Sequence, residues 1–154
     1  MSNQRIRAVA LCAVMQGDRV LVRRHLDGAL DPIFYRPPGG TIEFGEHSSD
    51  AVRREVQEEI GAELANLRLL GCIENLFDYK GDVGHEIVFV YRADFVDPTF
   101  YQREEIDGQE ADGQDFVAVW LPLAAFTPDQ PLYPTALLGL LRREPAQYPL
   151  WPVS

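Results

Sequence analysis

The sequence is poor in cysteine and in basic residues, and it has no apolar run long enough to cross a membrane. Its 154 residues include 2 cysteines, and 14 lysines and arginines face 24 aspartates and glutamates, for a formal net charge of -10 at pH 7. A duplex nucleic-acid binder or a membrane-surface protein needs clustered positive charge, so this balance argues against both. A small anionic substrate is still compatible, because a bound divalent cation can invert the local charge.

The two cysteines lie far apart, Cys12 within ALCAV and Cys72 within LLGCI. We expect both to be small core residues in a reducing compartment, because each sits in an apolar run and they form no metal-type pair. The N-terminal apolar stretch is too short for a membrane span, and no small-residue cleavage site follows a signal-type core. We therefore expect a cytoplasmic protein.

The order of apolar patterns predicts one mixed α/β domain over residues 1–154, without internal repeats or a visible linker. Arg7 to Met15 and Arg19 to Arg24 are strand-like runs around a Gly17-Asp18 turn signal, which predicts a hairpin. Further strands are predicted at 67–77, 85–95 and 116–123, an acidic loop at 97–114 and a short final helix at 136–144.

One helix is well marked between these strands. Ser48 or Ser49 can serve as its N-cap, and Gly61 is suited to the position just past its C-terminus. Its apolar stripe recurs every four residues, at Val52, Val56 and Ile60.

Three glutamates crowd one side of this helix, at the edge of the apolar stripe. Glu55, Glu58 and Glu59 occupy positions i, i+3 and i+4 and therefore stack on one another. Like charges four residues apart cost a helix a few tenths of a kcal/mol, roughly, so the crowding needs a compensating interaction. Mg²⁺ takes oxygen ligands and commonly joins carboxylates to substrate phosphates. The helix alone is compatible with a cation site and equally with a solvated acidic face.

The wider spacing is more specific. Gly40 is followed by five residues and Glu46, and seven residues later by REVQEEIG, Arg54 to Gly61. This segment resembles the box of the Nudix hydrolase family, in which a glycine, five residues, a glutamate and seven residues precede R-E-U-x-E-E-x-G-U, where U is bulky and apolar. Every polar and glycine position is present, and only the last U departs, because it is the small Ala62. The preceding PPGG is similar to the family's usual L-P-G-G.

The resemblance implies the Nudix fold, an α/β/α sandwich with a mixed β-sheet. It also implies hydrolysis of a pyrophosphate linkage in a nucleoside diphosphate joined to another group, with Mg²⁺ as cofactor and Mn²⁺ as the alternative. The partner would be a small nucleotide-type molecule, with no nucleic acid and no membrane involved. A homodimer is compatible with the resemblance.

Residue roles follow from the same resemblance, position by position. The metal ligands would be the Gly40 carbonyl and the carboxylates of Glu55, Glu58 and Glu59. Arg54 would orient these glutamates by hydrogen bonding, and Glu46 would be a supporting carboxylate near Arg54.

The general base is left open by the sequence. Family members use either a box glutamate or an acid from a later loop. Glu59 is our first choice, and the loop candidates are Glu104, Glu105 and Glu110.

Substrate contacts are predicted from residue type. Phe34 and Tyr79 could stack on a flat group, and Arg36 could meet phosphates. Tyr79 lies 17 residues past Ala62, similar to the tyrosine of diadenosine polyphosphate hydrolases. Arg23, Arg24, Lys80 and Arg92 could also meet phosphates, although paired arginines at a strand end are more often solvated, and one of the two must point away from any given face.

Two other functions occur on the same fold. A ligand-binding sensor without catalysis typically loses box glutamates, and an isoprenyl diphosphate isomerase needs an active-site cysteine with further metal-binding histidines. All box glutamates are retained here, and Cys12 and Cys72 lack such surroundings. The sequence therefore favours the hydrolase, with the sensor as the alternative.

Overall fold

The structure is a computed structural model that describes residues 4–25, 34–79 and 81–143. The elements in these ranges are β1 (Ile6–Gln16), β2 (Arg19–His25), β3 (Phe34–Arg36), β4 (Gly39–Thr41), α1 (Ser48–Ile60), β5 (Leu64–Tyr79), β6 (Asp82–Phe95), β7 (Glu105–Gln109), β8 (Asp115–Pro122) and α2 (Leu137–Leu141). Short 3-10 helices cover Pro98–Gln102 and Leu123–Ala125. In this part of the chain no helix is long and apolar enough to cross a membrane.

Strand β1 joins the two halves of a mixed sheet whose order is β5-β6-β1-β2-β8-β7. It runs parallel to β6 from Ile6 to Val14, and its last residues form the predicted antiparallel hairpin with β2. The short strands β4 and β3 pair with β1 and β2 respectively. The prediction of a mixed sheet is confirmed.

Alternation along β1 places one helix on each side of the sheet. Its even-numbered residues Ala10, Cys12 and Val14 belong to the core cluster that includes α1. Its odd-numbered residues belong to the cluster that includes α2. Because successive side chains of a strand point to opposite faces, this division produces the predicted α/β/α arrangement.

The start of α1 corrects one prediction. The N-cap residue is His47, and Ser48 and Ser49 are already the first two residues of the helix. The Ser48 hydroxyl oxygen lies 2.6 Å from the hydroxyl oxygen of Tyr91 on β6, so it ties the helix to the sheet and does not cap it.

The end of α1 agrees with the sequence. Gly61 has a φ of 69°, in the left-handed region, and its N–H donates to the carbonyl of Gln57 over 2.9 Å. Ala62 follows and is 1% exposed. The small residue at the last apolar position of the box therefore lies in the core at the point where the chain turns into β5.

Two further predictions are wrong. The region 97–114 is not simply a loop, because it contains a 3-10 helix and the edge strand β7, whose one large apolar side chain, Ile106, is buried.

Cys12 is buried as expected, but Cys72 is exposed, and both are free thiols. The pairing of β5 with β6 shifts register between Leu69 and Gly71. A one-residue shift sends every later side chain to the other face, and Cys72 lies just beyond it.

Candidate active site

The glycine turn and helix α1 meet without room for a side chain. A Cβ atom at Gly39, where φ is 146°, would lie 2.1 Å from the Ala10 carbonyl oxygen on β1. A Cβ atom at Gly40 would lie 2.5 Å from the carboxyl carbon of Glu55. Gly39 is therefore required by its close approach to β1, whereas a side chain at Gly40 would displace the Glu55 carboxylate, which rests against the backbone of β4.

Arg54 forms the first of two charged centres, which we call the Arg54 centre (Arg54, Glu46, Glu55 and Glu58). Its Nε and Nη2 donate to the two oxygens of Glu46 over 2.8 and 3.0 Å. Its Nη1 donates to Glu55 Oε1 over 3.0 Å and to Glu58 Oε2 over 3.2 Å. Nη2 also donates to the Thr41 carbonyl over 3.1 Å. One guanidinium thus fixes three carboxylates and the β4 strand.

The charges of this centre stabilise one another. The hydrogen bond from Arg54 is the largest cause that lowers the pKa of Glu46. The same bond, with help from Glu55, raises the pKa of Arg54. Charge-assisted bidentate pairs of this kind combine strength with fixed geometry. Arg54 is therefore placed to hold the Glu46 carboxylate in its ionised form.

The second centre is buried, and we call it the Arg23 centre (Arg23, Glu59 and Glu110). Glu59 is 5% exposed, and its Oε1 accepts from the Gly39 N–H over 3.1 Å. Its Oε2 accepts from Arg23 Nη1 over 2.9 Å. The same Nη1 donates to Glu110 Oε1 over 3.2 Å. The buried glutamate of the box is thus linked to an acid that follows β7.

Burial raises the pKa of Glu59 to about 7. Arg23 and the Gly39 N–H pull this pKa down, while the nearby charges of Glu55 and Glu110 push it up. A carboxyl group whose pKa lies near neutral is suited to exchanging protons with a substrate or a water.

The oxygen donors around the glycine turn fit a hard divalent cation in their chemistry. The residues that could hold one are Gly40, through its carbonyl, and Glu55, Glu58 and Glu59. In the described ranges no group of three or more His, Cys, Asp or Glu side chains already surrounds a common ion position. Arg54 donates to one oxygen each of Glu55 and Glu58, and Arg23 donates to one oxygen of Glu59.

A groove of about 510 Å³ lies beside the Arg23 centre. Glu110 and Phe116 line it, together with Glu105 on β7. The guanidinium carbon of Arg23 lies 4.9 Å from the centre of the Phe116 ring. Of the three loop acids predicted from sequence, Glu110 is the one that these contacts connect to a box glutamate. The sequence predicts Arg23 only as one of several cations that could meet a phosphate, and it favours a solvated arginine pair. Arg23 is buried instead, and its contact with Glu59 was not predicted.

The three residues predicted to contact substrate, Arg36, Phe34 and Tyr79, belong to neither of the two arginine centres. Arg36 Nη2 donates to Glu86 Oε1 over 3.1 Å, and Glu86 is 2% exposed. The ring centroid of Phe34 lies 5.2 Å from that of Tyr133. The side chain of Tyr79 lies outside the described part of the molecule. Arg36 and Phe34 are therefore held by protein contacts of their own.

Glu86 is the centre of a second buried cluster that the sequence did not predict. It also accepts from Asn75 Nδ2 over 3.2 Å and, weakly, from Arg7 Nη1 over 3.5 Å. Arg7 in turn donates from Nη2 to the Thr41 hydroxyl over 2.8 Å. Because Thr41 also accepts from Arg54, this cluster is connected to the Arg54 centre through one residue of β4.

Fold and site together define a class of protein: an α/β/α sandwich in which a glycine turn is pressed against a glutamate-rich helix held by two arginines. The family model described as the NUDIX domain matches residues 4–137 of this chain. The chain belongs to the Nudix family.

Individual relatives add detail to this membership. The chain is 33% identical over 115 residues to proteins named NAD-capped RNA hydrolase NudC from Pseudomonas aeruginosa, a match that covers 75% of this chain and 36% of the relative. The chain thus spans about a third of the length of these curated relatives.

Solved structures support the fold. A MutT NUDIX hydrolase from Burkholderia pseudomallei superposes with a TM-score of 0.61 at 23% identity, over 92% of this chain and all of the other. A structure titled ADP compounds hydrolase gives a TM-score of 0.59 at 19% identity, over 88% of this chain and 71% of the other.

Proposed function

We propose that this chain is a Mg²⁺-dependent pyrophosphohydrolase of a small nucleotide-type substrate, with Mn²⁺ able to replace Mg²⁺. The single observation that carries the proposal is the arrangement of α1. Glu55 and Glu59 lie against the glycine turn, and two arginines, Arg54 and Arg23, bond the helix glutamates.

The cation would be held by the Gly40 carbonyl and by Glu55, Glu58 and Glu59. When bound, it would neutralise charge that builds on the phosphoryl oxygens and lower the pKa of the attacking water. Arg54 holds Glu55 and Glu58 in place for this task, and Glu46 holds Arg54.

Proton acceptance is assigned to Glu59, the first choice from the sequence; burial raises its pKa to about 7 in the metal-free protein, and a bound cation would lower this pKa. Glu110 is the second candidate, because its carboxylate shares Arg23 with Glu59 and lines the groove. Glu59→Gln and Glu110→Gln separate the two. The base is the residue whose removal abolishes the acidic limb of the pH–rate profile.

The substrate is proposed to contain two linked nucleotides or an ADP group, with Arg36, Phe34 and Tyr79 among its contacts. The NudC relatives are named for a reaction on NAD-capped RNA. NAD carries a pyrophosphate between two nucleosides, so free NAD is a suitable first compound. The net charge of -10 disfavours binding of the phosphate backbone of an RNA chain. This supports a small molecule over a capped RNA as the substrate.

The experiment is a product-release screen with and without Mg²⁺. It covers NAD, ADP-ribose, dinucleoside polyphosphates, nucleoside triphosphates and an NAD-capped RNA oligonucleotide. Glu58→Gln is the inactive variant, and Glu63→Gln, an exposed glutamate just past α1, is the matched control. We expect Mg²⁺-dependent cleavage of one small-molecule class by the wild type and the control. Wild-type rates equal to those of Glu58→Gln on every compound would favour a ligand-binding sensor instead.

A further inference from the structure

We propose that Arg23 is a positioning residue that holds Glu110 against Glu59 and so makes the turn after β7 part of the active site. The inference rests on the proposed function and deepens it. It assigns a role to an arginine outside the box and selects one acid from the three that the sequence left open.

The first support is the geometry of one nitrogen atom. Arg23 Nη1 donates to Glu59 over 2.9 Å and to Glu110 over 3.2 Å, so the two accepting oxygens lie within about 6 Å of each other. These acids belong to α1 and to the turn after β7, which are far apart in the chain. Without the shared donor, their like charges would push the turn away from the helix.

The second support is how firmly the β7–β8 hairpin is built around this contact. Within the turn, the Glu110 N–H donates to the Gln114 carbonyl over 2.7 Å. Phe116 on β8 packs over Gly108 so closely that a Cβ there would lie 2.3 Å from the ring. The same ring faces the Arg23 guanidinium. Arg23 therefore holds both the side chain of the acid and the hairpin that carries it.

The third support is the cost of keeping an arginine at this position. Arg23 is 9% exposed, and its Nε is a buried donor that has no hydrogen-bond partner among the described residues. A buried charge with an unpaired donor carries a desolvation penalty, but replacing Arg23 with an apolar side chain would leave Glu59 buried without its charged partner. A substitution that keeps the positive charge is therefore needed to separate an effect on activity from an effect on stability.

A lysine cannot reproduce the arrangement. It keeps the charge, but its ammonium is a point donor on a flexible stem and lacks the planar group that lies over Phe116. Arg23→Lys is therefore the informative change. Arg19→Lys is the matched control, because Arg19 lies on the same strand with its side chain on the same face, is exposed, and donates to the Trp120 carbonyl.

The experiment is a double-mutant cycle on the active protein. We expect Arg23→Lys and Glu110→Gln each to lower kcat about tenfold with little change in KM, and the double variant to lose no more than either single variant. Arg19→Lys should match the wild type. Losses that multiply in the double variant, or a normal kcat for Arg23→Lys, would overturn the proposal. Should Arg23→Lys fail to fold, a normal kcat for Glu110→Gln would overturn it equally.

Amide hydrogen exchange provides a readout that is independent of activity. Arg23→Lys should speed exchange in the turn from Glu110 to Gln114 and leave α1 unchanged, whereas Arg19→Lys should change neither. Unchanged exchange in the turn would contradict the positioning role. A wild type inactive on every compound would overturn the proposed function, and the exchange result would then decide the positioning role on its own.

Discussion

The two arginine centres serve the same helix from different environments. The Arg54 side chain is 24% exposed and its partner Glu58 is 56% exposed, whereas the side chains of Arg23 and Glu59 are 11% and 4% exposed. Arg54 and its partners Glu55 and Glu58 all belong to α1. Arg23, in contrast, belongs to β2 and bonds α1 from outside the helix. Charges interact more strongly where water is excluded, so the buried centre is expected to carry the larger effects.

The largest expected effect is on turnover after Glu59→Gln. The variant removes a charge from the buried centre and, with it, the proposed base and one metal ligand. We expect kcat to fall about a hundredfold, equivalent to ~2.7 kcal/mol, with the fold intact. Steady-state kinetics measures the loss of kcat and circular dichroism checks the fold, with Glu63→Gln as the control variant. Near-normal turnover would show that Glu59 is neither the base nor an essential metal ligand. It would also contradict the expectation that the buried centre carries the larger effects.

The next effect is on stability as a function of pH in metal-free protein. The pKa of Glu59 is about 7 in the folded state and has an ordinary value of 4.5. The folded state therefore binds this proton more tightly than the unfolded state does. The resulting stability is fully present below about pH 4.5 and is lost as the pH rises through about 7.

Urea unfolding of wild type and Glu59→Gln measures this difference. Between pH 4.5 and 7.5 we expect the free energy of unfolding of the wild type to fall by about 2–3 kcal/mol relative to the variant. Parallel curves for the two proteins would indicate that Glu59 is already ionised at low pH in the folded state.

A smaller effect is expected at the more exposed centre. Arg54→Lys retains the charge but cannot bond Glu46 twice while also reaching Glu55 and Glu58. We expect about 1 kcal/mol lower stability, seen as a Tm lower by a few degrees, and a decrease in kcat of about threefold, less than for Arg23→Lys. The neighbouring Arg53→Lys is the control, since Arg53 bonds only the Leu64 carbonyl in the described contacts. Equal behaviour of the two variants would argue against an orienting role for Arg54.

The smallest effect is expected outside both centres. Arg36 is anchored by the buried Glu86, so Arg36→Lys should leave kcat within about twofold and raise KM severalfold, roughly, if this side chain meets a substrate phosphate. Initial-rate measurements on the substrate found in the screen provide the test. A loss confined to kcat would move Arg36 from substrate binding to the chemical step.

The comparison also explains what the sequence could and could not predict. Arg54, Glu55 and Glu58 are neighbours along one helix, and helical spacing alone brings them together. Arg23 and Glu110 join Glu59 only when β2, the β7–β8 hairpin and α1 are assembled, and no local pattern encodes that contact. The strands of the mixed sheet were predictable from apolar periodicity, and the C-terminal end of α1 was predictable from Gly61. Both signals are local in the sequence.

The errors have the same origin. Residues 105–109 read as a loop because EIDGQ is polar, yet one buried side chain, Ile106, and pairing with β8 are enough for an edge strand. The sequence predicts Cys72 in the core because the register shift in β5 has no signature in LLGCI. It predicts a cap at Ser48 or Ser49, but the hydroxyl of Ser48 contacts Tyr91 on a distant strand.

The most direct test of the central claim, that the glutamates of α1 form a divalent-cation site, is a titration of Mn²⁺ followed by the electron paramagnetic resonance signal of the free ion. It needs no knowledge of the substrate. We predict that wild type and Glu63→Gln bind Mn²⁺ alike, and that Glu58→Gln binds at least about tenfold more weakly, a difference of ~1.4 kcal/mol. Equal binding by wild type and Glu58→Gln, or no binding by the wild type at millimolar Mn²⁺, would contradict the account.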